Sequence, residues 1–456
     1  MKLKGLLGTT VIFLIYRWMT LTFRHGDGNV YLYAGHVLTQ GILPYRDYVF
    51  ADPPILPFVI GFLDVVTHRV VLAYLFLPIV LEAANALLIA TLLKRWKSNF
   101  YWLAPAVYLF SLPILRTSDH LQGSQLTVFF SLLGIMLWDT NKPLLSGISW
   151  ALGCLTKLYL VPAYAGFLLA AYLSKRKNLI KKLLIGSLAT LIVILLPFLL
   201  LAPQNFFRDV ILFPLLRQAE FSKLTILGNY ARDAWPLLIV GLIGILRLPQ
   251  PIIVFPLLVL TIFFLLFKDI FYIYVVTVHW YVVTLCVLLV GNLKKKWMQW
   301  GLVGAFLIYL GWSLYQYQTK FIDYSRFDNA QAVAAYFKKQ PDTLPLYGFH
   351  ELTPLLALLA DRRVYNNVVD THPQLFATHM LDRDTISQSA SRDGVYLLYL
   401  EQLFPDGSRF RSLDGTFFSK KIFDQSCTHQ TDIPISRSTD DVVIGIYRCS
   451  STPLSR

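Results

Sequence analysis

The sequence predicts an all-α polytopic membrane bundle of about eleven spanning helices, followed by a small extracytoplasmic α/β domain at the C-terminal end. Three observations carry that expectation. The 456 residues are 55% hydrophobic and only 15% charged, with a mean hydropathy of +0.54, whereas a water-soluble chain carries about a quarter charged residues. Apolar runs long enough to cross a bilayer, roughly 17 to 25 residues each, punctuate about the first 320 positions. The charge, finally, is unevenly split. From Asp323 onward there are 14 Lys+Arg against 16 Asp+Glu, which leaves 27 basic and 11 acidic residues before it. The +14 excess therefore belongs to the apolar part. Basic residues beside apolar spans set orientation, so a nucleic-acid partner is excluded.

In chain order, spans are expected at 6–23, 70–93, 100–115, 122–138, 144–155, 159–173, 179–202, 235–246, 252–267, 271–291 and 298–317. The first is not read as a cleavable signal, because no small-residue cleavage site follows it. With the N-terminus inside, the inner loops hold Lys94-Arg95-Trp96-Lys97, Lys142, Lys175-Arg176-Lys177 with Lys181-Lys182, Arg247 and Lys294-Lys295-Lys296. Asp139 is their one acid. Acids gather on the opposite face at Asp27, Asp47, Asp52, Asp119, Asp209, Glu220, Asp233 and Asp269. That is the positive-inside pattern, and an odd number of spans puts the C-terminal part outside. Two domains follow: a membrane module over 1–321, with an outer loop at 24–69, and a soluble domain over 322–456.

Within the soluble domain, periodicity predicts helices at 327–340 and 352–360 and strands at 344–349, 394–400 and 442–448. Cys427 and Cys449 are its two cysteines; Cys154 and Cys286 lie in apolar spans. An outward-facing pair is a disulfide candidate, with two free thiols as the alternative.

The first outer loop carries the most chemistry. Connectors are usually a few residues long, and this one has about forty, with a helix inside it that Asn29 can cap and Gly41 can stop. Tyr31, Ala34 and Leu38 would share one face, suited to lie on the membrane surface. Pro53-Pro54 and Pro57 break the chain before a second interfacial segment at 55–66. Asp27 sits just past the first span, where a carboxylate can take a proton from a hydroxyl arriving from outside. It can equally begin or cap the loop helix.

Lys157 lies between two apolar half-spans, an expensive place for a cation without an anionic partner; the alternative is a lysine that snorkels to the surface. Arg46 and His279 are further cationic candidates, with an interfacial anchor and a hydrogen-bonded helix residue as their plain readings. Glu82 and Asn85 share a helix face and should point into the bundle. Arg116, Asp119, His120 and Gln125 cluster on the second outer loop, as a pocket wall or a solvated turn. Lys268-Asp269 reads as a surface pair. The stretch 203–234 carries Arg208, Arg217, Lys223 and Arg232 on the outer face, which predicts a mobile loop over an anionic headgroup. The first outer loop holds no Asp-X-Asp, with Asp27-Gly28-Asn29 the nearest approach, and no P-loop, dinucleotide fingerprint or zinc spacing occurs, so neither metal nor cofactor is expected.

An Asp directly after the first span, a helix ending in Gly, then Gly41-Ile42-Leu43-Pro44-Tyr45-Arg46-Asp47 and Asp52-Pro53-Pro54 together resemble the first outer loop of GT-C glycosyltransferases. More narrowly, the loop resembles families akin to the bacterial aminoarabinose and mannosyl transferases that use polyprenyl-phosphate sugars. Gly153-Cys154-Leu155-Thr156-Lys157 is similar to their Leu-Thr-Lys step, and His279-Trp280-Tyr281 to the His-Tyr pair opening a late helix. The likeness covers about the first 320 residues. It departs at Gly28, where many relatives follow the Asp with Glu.

The resemblance implies transfer of a sugar from a polyprenyl-phosphate donor to a hydroxyl of a lipid or glycan acceptor, on the extracytoplasmic face of the plasma (inner) membrane. It implies inversion at the anomeric carbon, Asp27 as general base, and Lys157, Arg46 and His279 facing the donor phosphate. Tyr45, Asp47, Asp52, Arg116, Asp119, Gln125 and Tyr281 become candidates for the substrate pocket. The competing class is a lipid or glycan transporter or flippase. Such proteins carry inverted repeats with interrupted helices in matching positions, and this sequence shows no such symmetry.

Overall fold

The apolar runs fold as helices because inside a bilayer every backbone N–H and C=O must find its partner within the segment. The computed structural model describes residues 2–174, 176–248, 250–404, 408–411, 417–436 and 439–450; Lys175, one of the inner-loop cations, lies outside them. The N-terminal helices are α1 (Lys2–Met19), α2 (Gly28–Leu38), α3 (Ile55–Thr67) and α4 (Val71–Arg95). Among the described residues, three helical stretches are long and apolar enough to cross a membrane: Val71–Arg95, Lys177–Leu201 and Tyr272–Asn292. Shorter apolar helices, of 10–17 residues, include Gly5–Met19, Ser124–Asp139, Pro143–Cys154, Leu160–Leu173 and Pro251–Leu266.

The expectations for two stretches of the chain need correction first. The span at 100–115 is not one helix but the pieces Ala104–Leu109 and Leu112–Thr117, preceded by a short 3-10 turn. Ser111 is extended between them (ψ 146°), and Pro113 has no N–H to continue the ladder. The stretch 203–234 is no open loop either. It forms Pro203–Phe207, a π turn over Arg208–Leu212, Phe213–Leu216 and the start of the helix Lys223–Arg247. Phe206, Val210 and Phe213 are buried, and Arg208 neutralises the buried Asp209 at 2.8 Å. Its apolar face, not its charge, decided its structure.

The chain divides into two compact units. The first comprises Met1–Leu21, Leu75–Pro197 and Gln218–Tyr324 and is helical throughout. Its core packs Trp138, Trp150, Phe167, Trp280 and Phe306. Helices approach closely where side chains are smallest: a Cβ on Gly147 would lie 1.9 Å from the Leu183 carbonyl oxygen, and one on Gly186 2.1 Å from that of Leu144. Small-residue crossings of this kind are how helices associate when lipid supplies no hydrophobic drive.

The second unit comprises Thr22–Tyr74, Phe198–Arg217 and Ser325–Arg456. Here α2 is buried along Asn29–Val37, so no single face of it is left to lie on a membrane. Asn29 does not cap it; the helix begins at Gly28, and the Asn29 amide donates to the Arg24 carbonyl at 2.9 Å. Gly41, at φ +81°, ends the segment in the left-handed conformation that glycine tolerates. Neighbouring α3 buries Ile55, Leu56, Ile60 and Asp64 and exposes Phe58, Phe62, Val65 and Val66, the amphipathic pattern of a helix in an interface.

The C-terminal part supplies β1 (Leu346–Gly348), β2 (Val395–Leu403), β3 (Arg409–Arg411), β4 (Cys427–Ser436) and β5 (Thr439–Cys449). They form one sheet in the order β1-β2-β5-β4, with β3 paired to β2. The β1–β2 pair is parallel and the rest antiparallel. Cys427 and Cys449 face each other across the β4–β5 hairpin and are joined by a disulfide.

Candidate active site

The site grows from a short segment after α1. Phe23 to Gly26 runs beside the C-terminal part of its own unit: Phe327 N donates to Phe23 O at 2.9 Å, His25 N to Ser325 O at 2.9 Å, and Gly26 N to Glu351 O at 3.2 Å. Gly26 takes φ +151°, a conformation nearly confined to glycine, and so turns the chain between His25 and Asp27. Asp27 then stands at the N-cap position of α2 yet makes no side-chain capping bond. The positive end of the helix still favours its charge.

Opposite Asp27 lies His350, just past β1, with its side chain 4% exposed and its Nε2 3.4 Å from Asp27 Oδ1. The Asp27 side chain keeps 43% of its exposure. Glu351, next in sequence, meets His25 Nδ1 at 3.0 Å. The His372 ring lies 5.2 Å from that of His350. Burial pushes the Asp27 carboxyl up, but the hydrogen bond and charge of His350, with the charges of His372 and Arg217, outweigh it and hold it down at about 2. Burial pushes His350 the other way, and it too is overruled: Asp27, with the charges of Asp370 and Glu351, raises it to about 9. At neutral pH the pair is a carboxylate facing an imidazolium.

No protein-family model and no curated protein matches the chain. Solved structures do. ArnT from Cupriavidus metallidurans bound to undecaprenyl phosphate superposes with a TM-score of 0.63 at 12% identity, over 97% of this chain and 98% of that one. The same protein in the apo state gives 0.63 at 13% identity, over 96% and 98%. The chain has the ArnT fold. The whole-chain likeness to ArnT agrees with the GT-C resemblance read from the first loop.

Within the ArnT-like fold the other candidate residues fall into both units. In the second, Arg46 grips Asp47 through two N–H donors, Nε at 2.8 Å and Nη2 at 2.7 Å, and also reaches the Gly41 carbonyl at 3.1 Å. Its hydrogen bond holds the Asp47 carboxyl below the usual range. Tyr45, at φ +66°, donates its hydroxyl to the Asp52 carbonyl at 2.6 Å, and the Asp52 carboxylate accepts from Tyr31. Phe50, Phe198 and Phe206 pack around the Tyr45 ring. These residues fix the loop's shape.

In the first unit, Lys157 follows the helix Pro143–Cys154 and is 3% exposed. His279 is fully buried, with Nε2 2.8 Å from Ser111 Oγ and Nδ1 3.2 Å from the Tyr230 hydroxyl. Tyr281 is buried, and its hydroxyl has no hydrogen-bond partner among the described residues. Gln125 donates to the Thr117 carbonyl at 2.8 Å. Asp119 pairs with Arg17 at 2.7 Å, both side chains under 5% exposed. Arg116 pairs with Asp233 and lies between the rings of Tyr272 and Phe321, at 4.2 and 4.1 Å. Glu82 accepts from Tyr108 at 2.6 Å, and Asn85 donates to the Gln125 carbonyl at 3.1 Å.

The structure thus gathers Asp27 with His25, His350 and Glu351, whereas Lys157, His279, Arg116, Asp119, Gln125 and Tyr281 belong to the other unit. Sequence reading missed His350, Glu351 and the role of Arg17. A faint signal existed for the first two: a His-Glu pair directly follows the expected strand at 344–349, and strand ends are where sheets present functional side chains.

Proposed function

We propose that this protein is a membrane glycosyltransferase that moves a sugar from a polyprenyl-phosphate donor to a hydroxyl of a lipid or glycan acceptor, on the extracytoplasmic face and with inversion. One observation carries the reading: Asp27 is an ionised carboxylate, open to solvent and uncommitted to helix capping, in a chain that folds like a protein crystallised with undecaprenyl phosphate.

The acceptor oxygen attacks the anomeric carbon while the bond from that carbon to the phosphate oxygen breaks. Asp27 receives the hydroxyl proton, and the phosphate leaves with the bonding electrons. A carboxylate held at about 2 is a weak base toward a ground-state hydroxyl. The proton therefore moves late, once the new C–O bond has made the hydroxyl acidic, as an oxocarbenium-like transition state allows. Until then Asp27 orients the nucleophile by accepting its hydrogen bond. Glu351, the neighbouring carboxylate, is engaged by His25, which favours single displacement over a covalent intermediate. Charge developing on the leaving phosphate requires fixed cations; Lys157 is the first choice, then Arg46, whereas His279, buried with both ring nitrogens hydrogen-bonded, is left as a packing residue. The basic inner loops support a cytoplasmic N-terminus.

Replacing Asp27 with Asn tests the proposal. Purified protein in lipid nanodiscs is given a radiolabelled polyprenyl-phosphate sugar and a membrane extract as acceptor source. The Asp27→Asn variant should lose about 100-fold or more in transfer rate while keeping its expression level and its undecaprenyl phosphate binding. Transfer at the wild-type rate would overturn the assignment.

A further inference from the structure

Within the second unit a pocket of about 340 Å³ opens between the loop residues 47–49 and the segments 366–370 and 380–386. That volume lies in the range of small-molecule sites, roughly 300–1,000 Å³. Its floor is apolar: Met380 packs with Phe213 and Leu375, and Val49 and Leu381 rest on that cluster. Its wall carries a polar group with nothing to bond to. Tyr48 lines the pocket and is only 7% exposed, and its hydroxyl is buried with no hydrogen-bond partner among the described residues. A hydroxyl in that state costs free energy, and a ligand in the pocket would relieve it. Asn366 and Asn367, also in the wall, stand at φ +47° and +54°. These are successive left-handed residues, a conformation Asn tolerates better than most, and the bend brings two amides to the rim.

The charges around the pocket narrow what it can hold. No Lys or Arg is among its described lining residues, so an anion would meet only carboxylates. Those carboxylates are already engaged, which leaves little to attract a cation. Asp47 accepts from Arg46 Nη2 at 2.7 Å, and Asp382 from Asp384 N at 3.0 Å and Thr385 Oγ1 at 2.8 Å. Asp370 accepts from His372 N at 2.8 Å, and its charge is one of those that hold His350 protonated. A neutral ligand with several hydroxyls and one apolar face fits what remains. Carboxylate and amide oxygens accept from its hydroxyls, the Tyr48 hydroxyl and the Asn amides can donate to them, and the floor takes its C–H face. We propose that this pocket is a binding subsite for an uncharged sugar ring. Its wall continues toward the base: Asp370 lines it, and two residues on the His372 ring lies 5.2 Å from that of His350, which faces Asp27. The source of the ring, donor sugar or acceptor glycan, rests on the transferase reading; the binding of a sugar does not.

Binding is therefore read without turnover. Full-length protein in lipid nanodiscs is offered a panel of neutral methyl hexosides and pentosides, with methyl glucuronide and glucosamine as charged controls, and saturation-transfer NMR reports contact. Transfer of saturation to at least one neutral glycoside is expected, and none to the glucuronide. Tyr48→Phe and Asn367→Ala should each weaken that binding by about five- to tenfold. Tyr48→Phe removes only an unpaired hydroxyl, so its thermal unfolding should match wild type and a loss of binding is not a loss of fold. Asp27→Asn should bind the glycoside as wild type does, which separates the pocket from the base. In the transfer assay Tyr48→Phe should raise KM for one substrate, the donor or the acceptor extract, and so name the source of the ring. If no transfer is detected in any protein, the binding measurement still decides. Absence of saturation transfer to every neutral glycoside, preference for a charged control, or equal affinity in wild type and both pocket variants would overturn the subsite.

Discussion

The two units use the same ionisable residue types in opposite ways. In the helical unit, Arg17 and Asp119 are 1% and 4% exposed, and Asp233 is 1% exposed beneath Arg116. Glu82 is shut in with Tyr108 and Asn85. Around Asp27 the side chains stay reachable: Asp27 is 43% exposed, Glu351 28% and His25 26%, with only His350 buried. Charge inside a low-dielectric bundle must be matched where it stands, since an unpaired ion there costs several kcal/mol. Charge at a wet surface is screened by water as well as by its protein partners. The first arrangement holds helices in register; the second leaves the Asp27 carboxylate within reach of solvent.

That contrast is broken or sharpened by stability measurements. The largest effect should come from Arg17→Met, which takes the guanidinium away from the buried Asp119 carboxylate and leaves it to His120; it should cost about 3–5 kcal/mol by denaturant titration in detergent. The double variant Arg17→Met/Asp119→Leu should recover most of it. Next is the hairpin disulfide: replacing both Cys427 and Cys449 with Ser frees a loop with a sequence separation of 22 and should cost roughly 3 kcal/mol. Limited proteolysis should report that loss in the C-terminal part alone. Asp27→Asn, for all its effect on transfer, should cost about 1 kcal/mol or less, since solvent replaces much of what it loses. If it proved as destabilising as Arg17→Met, the distinction between the two units would fail.

The smallest effect is pH-dependent. Burial pushes the Asp432 carboxyl up, but hydrogen bonds from Arg409 and His429 hold it below its usual range. A carboxyl lowered on folding stabilises the fold above its unfolded-state value, and that contribution is lost as acid carries the pH down through the lowered one. Wild type should exceed Asp432→Asn by about 1 kcal/mol or less at neutral pH, and the gap should close on acidification below the ordinary carboxylate range. A gap that widens in acid would refute the assignment.

Much of the helical unit was legible from composition. Runs such as 122–138, 144–155 and 159–173 reappear almost unchanged as Ser124–Asp139, Pro143–Cys154 and Leu160–Leu173, because a continuous apolar stretch has few other ways to satisfy its backbone. The reading failed where local and long-range signals disagreed. Arg208, Arg217, Lys223 and Arg232 suggested a loop, yet the apolar residues between them pack and make helix. Asn29 looked like a cap, but its amide found a better acceptor at Arg24. The pair of His350 and Glu351 could not be joined to His25 and Asp27 by any spacing rule, since contact between segments so distant is set by the fold of the second unit.

By itself, the sequence determined that this chain is a helical membrane protein with a sheet-bearing C-terminal part, and it singled out Asp27. Hydropathy and charge asymmetry act locally, residue by residue, and survive without knowledge of neighbours. Only the tertiary structure decided which buried charges are matched in pairs and which histidines and carboxylates meet beside α2. Those are properties of distances between remote side chains, and no linear pattern encodes them.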